Sequence, residues 1–126
     1  MIPDRIETGT LLLAAVATRG EVTLNNVNAE HLPNFLEKVR EMGAEVEAQG
    51  NRIFASAKNG LQGVSVMTQP YPGFPTDLQA QWMSTACVVE GASVIKETVF
   101  EDRFLQAAEL SRMGAKIAVD GNTATV

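Results

Sequence analysis

The chain repeats itself. Displaced by 71 residues, Met42-Gly43-Ala44 falls on Met113-Gly114-Ala115, and Gly50-Asn51 falls on Gly121-Asn122. Ala15 meets Ala86, Gly20 meets Gly91 and Glu30 meets Glu101, while Leu24/Ile95, Val39/Leu110 and Val46/Ile117 keep apolar character. Matched turn residues and matched apolar positions are the marks of a duplicated supersecondary unit. The division that follows is 1–63 for the first unit and 64–126 for the second, both within one globular domain.

Each copy reads alike. A first helix, about Thr8–Ala17 or Asp77–Val89, is apolar on nearly all sides and is expected to be buried. It ends at Gly20 or Gly91 and enters a short strand, Val22–Leu24 or Ser93–Ile95. A second helix, Ala29–Met42 or Phe104–Met113, carries apolar residues at helical spacing (Leu32, Phe35, Leu36, Val39; Leu105, Ala108) and charges elsewhere, as a surface helix does. Asn28 suits the N-cap of the earlier one, and Gly43 and Gly114 suit the positions that stop both. Strands then flank Gly50-Asn51 and Gly121-Asn122, where glycine at the first central position favours a type II′ hairpin. Val64–Thr68 supplies a leading strand to the second unit, but only Met1–Pro3 precedes the first. The repeat therefore predicts a chain that begins partway into an element, as a piece of a larger protein does.

Composition narrows the function classes. A net charge of −5 argues against a nucleic-acid or anionic-membrane surface, and no apolar run has the length of a membrane span. The start MIPDRIETG has neither the basic nor the apolar region of a signal peptide, and a single cysteine, Cys87, forms no internal disulfide. A cytoplasmic protein is expected. Cys87, within Ala86-Cys87-Val88-Val89, reads as a small buried hydrophobe, and His31 has no second His or Cys at ligand spacing, so no metal site is expected. Trp82 and Met83 read as core.

The segment PYPGFPTDLQAQ, Pro70–Gln81, carries the chemistry. Pro72 and Pro75 fix φ, Gly73 opens other backbone angles, and Pro75 keeps Phe74 out of the helical region. Asp77 then arrives at the start of a helix. Two readings stand open: a plain N-cap, or a carboxylate aimed at a ligand by a rigid approach.

Together with IPDRIETGT (Ile2–Thr10), EGASVIKETVFEDRF (Glu90–Phe104) and ELSRMGA (Glu109–Ala115), this segment resembles the UDP-N-acetylglucosamine 1-carboxyvinyltransferases along essentially the whole chain. The resemblance implies an α/β (α+β) fold, the enolpyruvyl transferase inverted α/β barrel of repeated βαβαββ units, with two of six units present. It implies enolpyruvyl transfer from phosphoenolpyruvate to the 3-hydroxyl of UDP-N-acetylglucosamine in peptidoglycan synthesis, with no cofactor. It gives Asp77 the role of general base and sugar contact, Thr76 a further sugar contact, Val99 a main-chain contact to the nucleotide sugar, Phe100 an apolar wall beside it and Arg103 a place near phosphate-bearing ligands. The family's asparagine is replaced here by Asp102, which sets an extra negative charge beside Arg103. The family's lysine–asparagine pair, its phosphate-binding arginine from the other domain and its mobile-loop cysteine have no counterpart. The piece alone is thus expected to be inactive, to lean on the remaining units of its parent and to self-associate through uncovered apolar surface. Arg5 and Glu7 read first as a surface or capping pair. A non-catalytic nucleotide-sugar-binding module, and a transferase of the same fold acting on a shikimate phosphate, are the competing classes.

Overall fold

The computed structural model describes residues 2–101 and 103–126. Helix α1 (Arg5–Ala17) opens where the Asp4 carboxylate accepts hydrogen bonds from the main-chain N–H groups of Ile6 (2.8 Å) and Glu7 (3.4 Å). This cap starts the helix earlier than the expected Thr8. The chain leaves α1 through Arg19, whose φ of 60° makes it, rather than Gly20, the left-handed residue. Its guanidinium donates to the Val88 carbonyl oxygen at 2.6 Å, tying the end of α1 to the corresponding place in the second half. Strand β1 (Glu21–Asn25) follows.

The helix expected from Ala29 is split. Asn28 caps only a 3-10 turn, Ala29–His31, and α2 (Pro33–Met42) begins afresh. Proline excludes Leu32 from helical angles (φ −133°, ψ 44°) yet suits the first helical position itself. Strands β2 (Glu45–Gln49) and β3 (Arg52–Ser56) complete an antiparallel sheet ordered β1-β3-β2.

The second half runs β4 (Val66–Met67), a 3-10 turn Thr76–Leu78, α3 (Gln79–Ala86), β5 (Val94–Lys96), α4 (Leu105–Arg112), β6 (Ala118–Asp120) and β7 (Thr123–Thr125). Its sheet is ordered β4-β5-β7-β6, with β4 parallel to β5 and the other pairs antiparallel. The 71-residue offset lays α1 on the turn and α3, β1 on β5, α2 on α4, and the hairpin β2–β3 on β6–β7. Gln49 pairs with Arg52 and Asp120 with Thr123, leaving Gly50-Asn51 and Gly121-Asn122 as two-residue loops. Both glycines stand at φ 61° and neither asparagine has a positive φ, the type II′ signature expected.

One apolar core runs through both halves, with Leu12, Phe35, Ile53, Trp82, Met83 and Ile95 at most 1% exposed. The inner helices do not bury all sides, contrary to expectation. Helix α1 covers Thr8, Gly9, Leu12, Leu13 and Val16 but leaves Leu11 47% exposed, because α3 and the first sheet pack on it from one side only. Contact there is close: a Cβ on Gly9 would lie 2.5 Å from a Leu78 methyl carbon. Helix α4 also departs from expectation. Leu105 is 82% exposed and Ala108 is exposed, while Phe104, Ala107 and Leu110 face the core at a spacing of three set by the two larger side chains. No helix among the described residues is long and apolar enough to cross a membrane.

The matched helix-ending glycines separate two demands that only glycine meets, a positive φ and a close approach. Gly43 and Gly114 sit at φ 116° and 104°, but a Cβ at Gly43 would lie 2.6 Å from the Gly60 carbonyl oxygen, while one at Gly114 would meet nothing within 4 Å. Gly114→Ala is expected to cost about 1–2 kcal/mol through backbone strain alone. Gly43→Ala should cost at least about 1 kcal/mol more, since the clashing atom is backbone. Urea midpoints of the two variants measure the difference; equal losses would mean that the close approach does not matter.

Candidate functional site

The approach to α3 is held from both sides. In the Pro70–Gly73 turn, Gly73 donates to the Pro70 carbonyl (2.9 Å) and Gln69 donates to that of Phe74 (3.0 Å). A Cβ on Gly73 would fall 2.6 Å from the Gln69 Cβ, so the turn needs glycine for close approach. Phe74 anchors the segment in the core, its ring centroid 5.7 Å from Phe35 and 5.3 Å from Trp82. Arg5 lies over the Tyr71 ring at 5.5 Å, and Glu7 is exposed in the first turn of α1.

Asp77 is exposed and caps neither the Thr76–Leu78 turn nor α3. Of its two readings, the cap is the one the geometry removes. With Thr76, Leu105 and Arg103 it lines a cleft of about 260 Å³. A second cleft of about 730 Å³ is lined by Val99, Phe100, Lys96, Glu101 and, again, Arg103. Arg103 lines both clefts, so the five expected residues lie along two clefts that share it. The exposed Arg103 stacks on the half-exposed Phe100 ring, its guanidinium carbon 4.6 Å from the ring centroid. Asp102 lies outside the described residues.

Behind these residues stands one that composition and spacing do not reveal. Glu97 is 3% exposed, and its Oε1 accepts from the Thr76 hydroxyl (2.7 Å) and the Gln79 amide (3.3 Å). Its Oε2 accepts from the Thr68 hydroxyl (2.6 Å) and from the main-chain N–H groups of Val99 (3.1 Å) and Phe100 (3.4 Å). Gln79 extends the network, donating to the Arg103 carbonyl (3.0 Å) and accepting from Gln106 (2.6 Å). Thr98 closes it, its main-chain N–H donating to the Thr68 hydroxyl and its own hydroxyl to the Thr68 carbonyl.

Burial pushes the Glu97 carboxyl up, but the hydrogen bonds from Thr68, Thr76, Val99 and Gln79 together outweigh it and hold the group below its ordinary value. A carboxyl whose pKa is lower folded than unfolded adds stability above its unfolded value. That stability is lost as pH falls through the lower, folded value. Acid titration of the melting temperature should therefore fall more steeply in the native chain than in Glu97→Gln over the pH range below about 4.3. Parallel curves would remove Glu97 from the pH response.

The remaining flagged residues lie elsewhere. Cys87 follows the last residue of α3 rather than lying mid-helix, and is half-buried in an apolar groove with Val88, Leu110 and Met113, where burial raises its thiol pKa. The helix tightens and ends there, as Val88 donates to the Thr85 carbonyl three residues back. His31 contacts the Asn28 amide at 3.2 Å.

Known proteins resemble the chain over its full length. The family model for EPSP synthase (3-phosphoshikimate 1-carboxyvinyltransferase) matches residues 1–126. Curated relatives carrying the name UDP-N-acetylglucosamine 1-carboxyvinyltransferase are 52% identical over 126 residues in Granulibacter bethesdensis and 51% in Thermotoga maritima. The chain spans 30% of the length of each, and 52% of a 50% identical relative from Desulfofundulus thermocisternus. Among solved structures, the enolpyruvyl transferase NikO from Streptomyces tendae superposes with a TM-score of 0.88 at 25% identity, over 100% of this chain and 30% of that one. EPSP synthase from Acinetobacter baumannii superposes at 0.71 and 14% identity, over 97% and 28%, and shares the fold.

Proposed function

The chain belongs to the EPSP synthase (3-phosphoshikimate 1-carboxyvinyltransferase) family, and from that premise we propose that it forms the acceptor-binding part of an enolpyruvyl transferase acting on UDP-N-acetylglucosamine. The observation that carries this is the placement of Asp77 beside Thr76 and Arg103, with its carboxylate capping no helix. A carboxylate so placed accepts the proton of the sugar 3-hydroxyl as that oxygen bonds to C2 of phosphoenolpyruvate and phosphate departs. Thr76 adds a sugar contact, Val99 and Phe100 hold the nucleotide sugar, and Arg103 faces phosphate oxygens. The names of the 44–52% identical relatives support the sugar nucleotide over the shikimate acceptor. The reaction serves peptidoglycan synthesis in the cytoplasm, and the phosphoenolpyruvate-binding groups come from the rest of the parent protein.

The assay is direct. Full-length protein given phosphoenolpyruvate should release phosphate with UDP-N-acetylglucosamine and not with 3-phosphoshikimate. Release with 3-phosphoshikimate alone reassigns the acceptor, and sugar-nucleotide binding without turnover leaves a binding module.

We further divide the chain at residues 63 and 64 into two units that share one core. Exposed Leu11, Val88 and Met113 support a face that other parts of the parent cover. The isolated chain should therefore associate as its concentration rises. Sedimentation velocity checks this, and a strictly monomeric chain at high concentration counts against it.

A further inference from the structure

Five donors converge on Glu97 from three separate segments: Thr68 after β4, Thr76 and Gln79 at the start of the inner helix, and the main chain at Val99 and Phe100. No other side chain touches both the turn that carries Asp77 and the loop that carries Val99 and Phe100 through hydrogen bonds among the described residues. We propose that Glu97 is the positioning residue of this site, fixing the Asp77 turn against the 99–100 loop so that base and nucleotide-sugar contacts present one geometry. The inference rests on the reading of Asp77 given under the proposed function.

The chemistry is specific to a carboxylate. Each oxygen accepts, and neither has a proton to give while all five donors point inward. A glutamine cannot copy this. Its amide nitrogen must face either the Gln79 amide, which can turn its oxygen inward only by giving up its bonds to the Arg103 carbonyl and from Gln106, or the Val99 and Phe100 N–H groups, which cannot accept at all. Whichever side meets the nitrogen moves away, so the two halves of the site lose their register. Aspartate keeps the charge but is one methylene too short to span both sides.

The test is made in the full-length protein with phosphoenolpyruvate and UDP-N-acetylglucosamine. Glu97→Gln should fold, lower kcat by roughly 10²-fold and raise KM for the sugar nucleotide, as a misplaced but intact base does. In an Asp77→Asn background the same change should lower kcat by less than about threefold, because the group it positions is already disabled. A lowered melting temperature with native kcat and KM would leave Glu97 merely structural and overturn the proposal. An undiminished loss in the Asp77→Asn background would overturn it too, as action independent of Asp77.

If Glu97→Gln does not fold, Thr68→Val and Thr68→Ser decide, since the buried Thr68 hydroxyl also donates to Glu97 and has no part in the substrate contacts. Valine removes one donor to Glu97 and should lower kcat by about 10-fold, while serine restores it. Equal kcat in the two variants overturns the proposal. Absence of transfer in the unmutated protein would bring down the functional reading as well, whereas native transfer by Glu97→Gln brings down the positioning role alone.

Discussion

Asp77→Asn is expected to lower turnover of the full-length protein by roughly 10²–10⁴-fold, the usual worth of a positioned acid or base. Fold and sugar-nucleotide binding should stay largely intact. The side chain is exposed and caps neither the Thr76–Leu78 turn nor α3, so exchanging its carboxylate for an amide removes no structural hydrogen bond at these helix starts. Asparagine keeps the size and one acceptor oxygen, but it cannot take a proton from the attacking hydroxyl. Measured together, kcat and melting temperature decide the role. Turnover near the native level with an unchanged melt would retire Asp77 as the base.

Trp82→Ala should be the most damaging core substitution. Trp82 is fully buried, its ring lies 6.2 Å from Phe35 and 5.3 Å from Phe74, and its indole N–H donates to the Val64 carbonyl at 3.2 Å. Truncation loses the transfer energy of the ring and opens a cavity, together about 3–5 kcal/mol. It also strips the Val64 carbonyl of its donor, and a domain of this size has only about 5–15 kcal/mol to lose. The damage should reach the site, because Phe74 packs on Trp82 and anchors the approach to Asp77. Trp82→Phe keeps most of the packing and should cost about 1–2 kcal/mol, chiefly from the lost hydrogen bond. Guanidinium unfolding of both variants checks the ranking; a mild alanine variant would show that the aromatic cluster is not what holds the two halves together.

Legibility of the fold follows the range of the forces involved. Gly43, Gly114 and the two Gly-Asn loops were readable because a positive φ is a local demand that few residues meet, and Leu32, Phe35, Leu36 and Val39 because helical spacing is local too. The inner helices were harder. Apolarity on all sides of α1 says that its faces can be buried, not which face a neighbour reaches, and in this chain Leu11 remains exposed. Leu105 misled for a related reason: it begins an apolar spacing in α4, but Phe104 and Leu110 set the phase. Pro33 broke the helix expected from Asn28, a local signal that helical periodicity alone passes over. At the site, the residues named by the resemblance line two clefts that have Arg103 in common, and their roles stay a proposal. Glu97 stayed hidden because its side-chain donors lie 18 to 29 positions away in sequence, and a lone glutamate before a threonine has no local pattern.

One contact of α1 joins corresponding residues of the two halves. Gln81 donates through its side-chain amide to the Thr10 hydroxyl at 3.0 Å, and the two residues are 71 positions apart. They are the same site in the two copies. Counterparts in a repeat whose copies are related by a rotation can touch only near the axis of that rotation. In an assembly of separate identical chains, every substitution at that spot would confront itself. A single chain carries no such constraint. A short hydroxyl and a long amide can occupy the axis together, a heterogeneity that strict symmetry forbids.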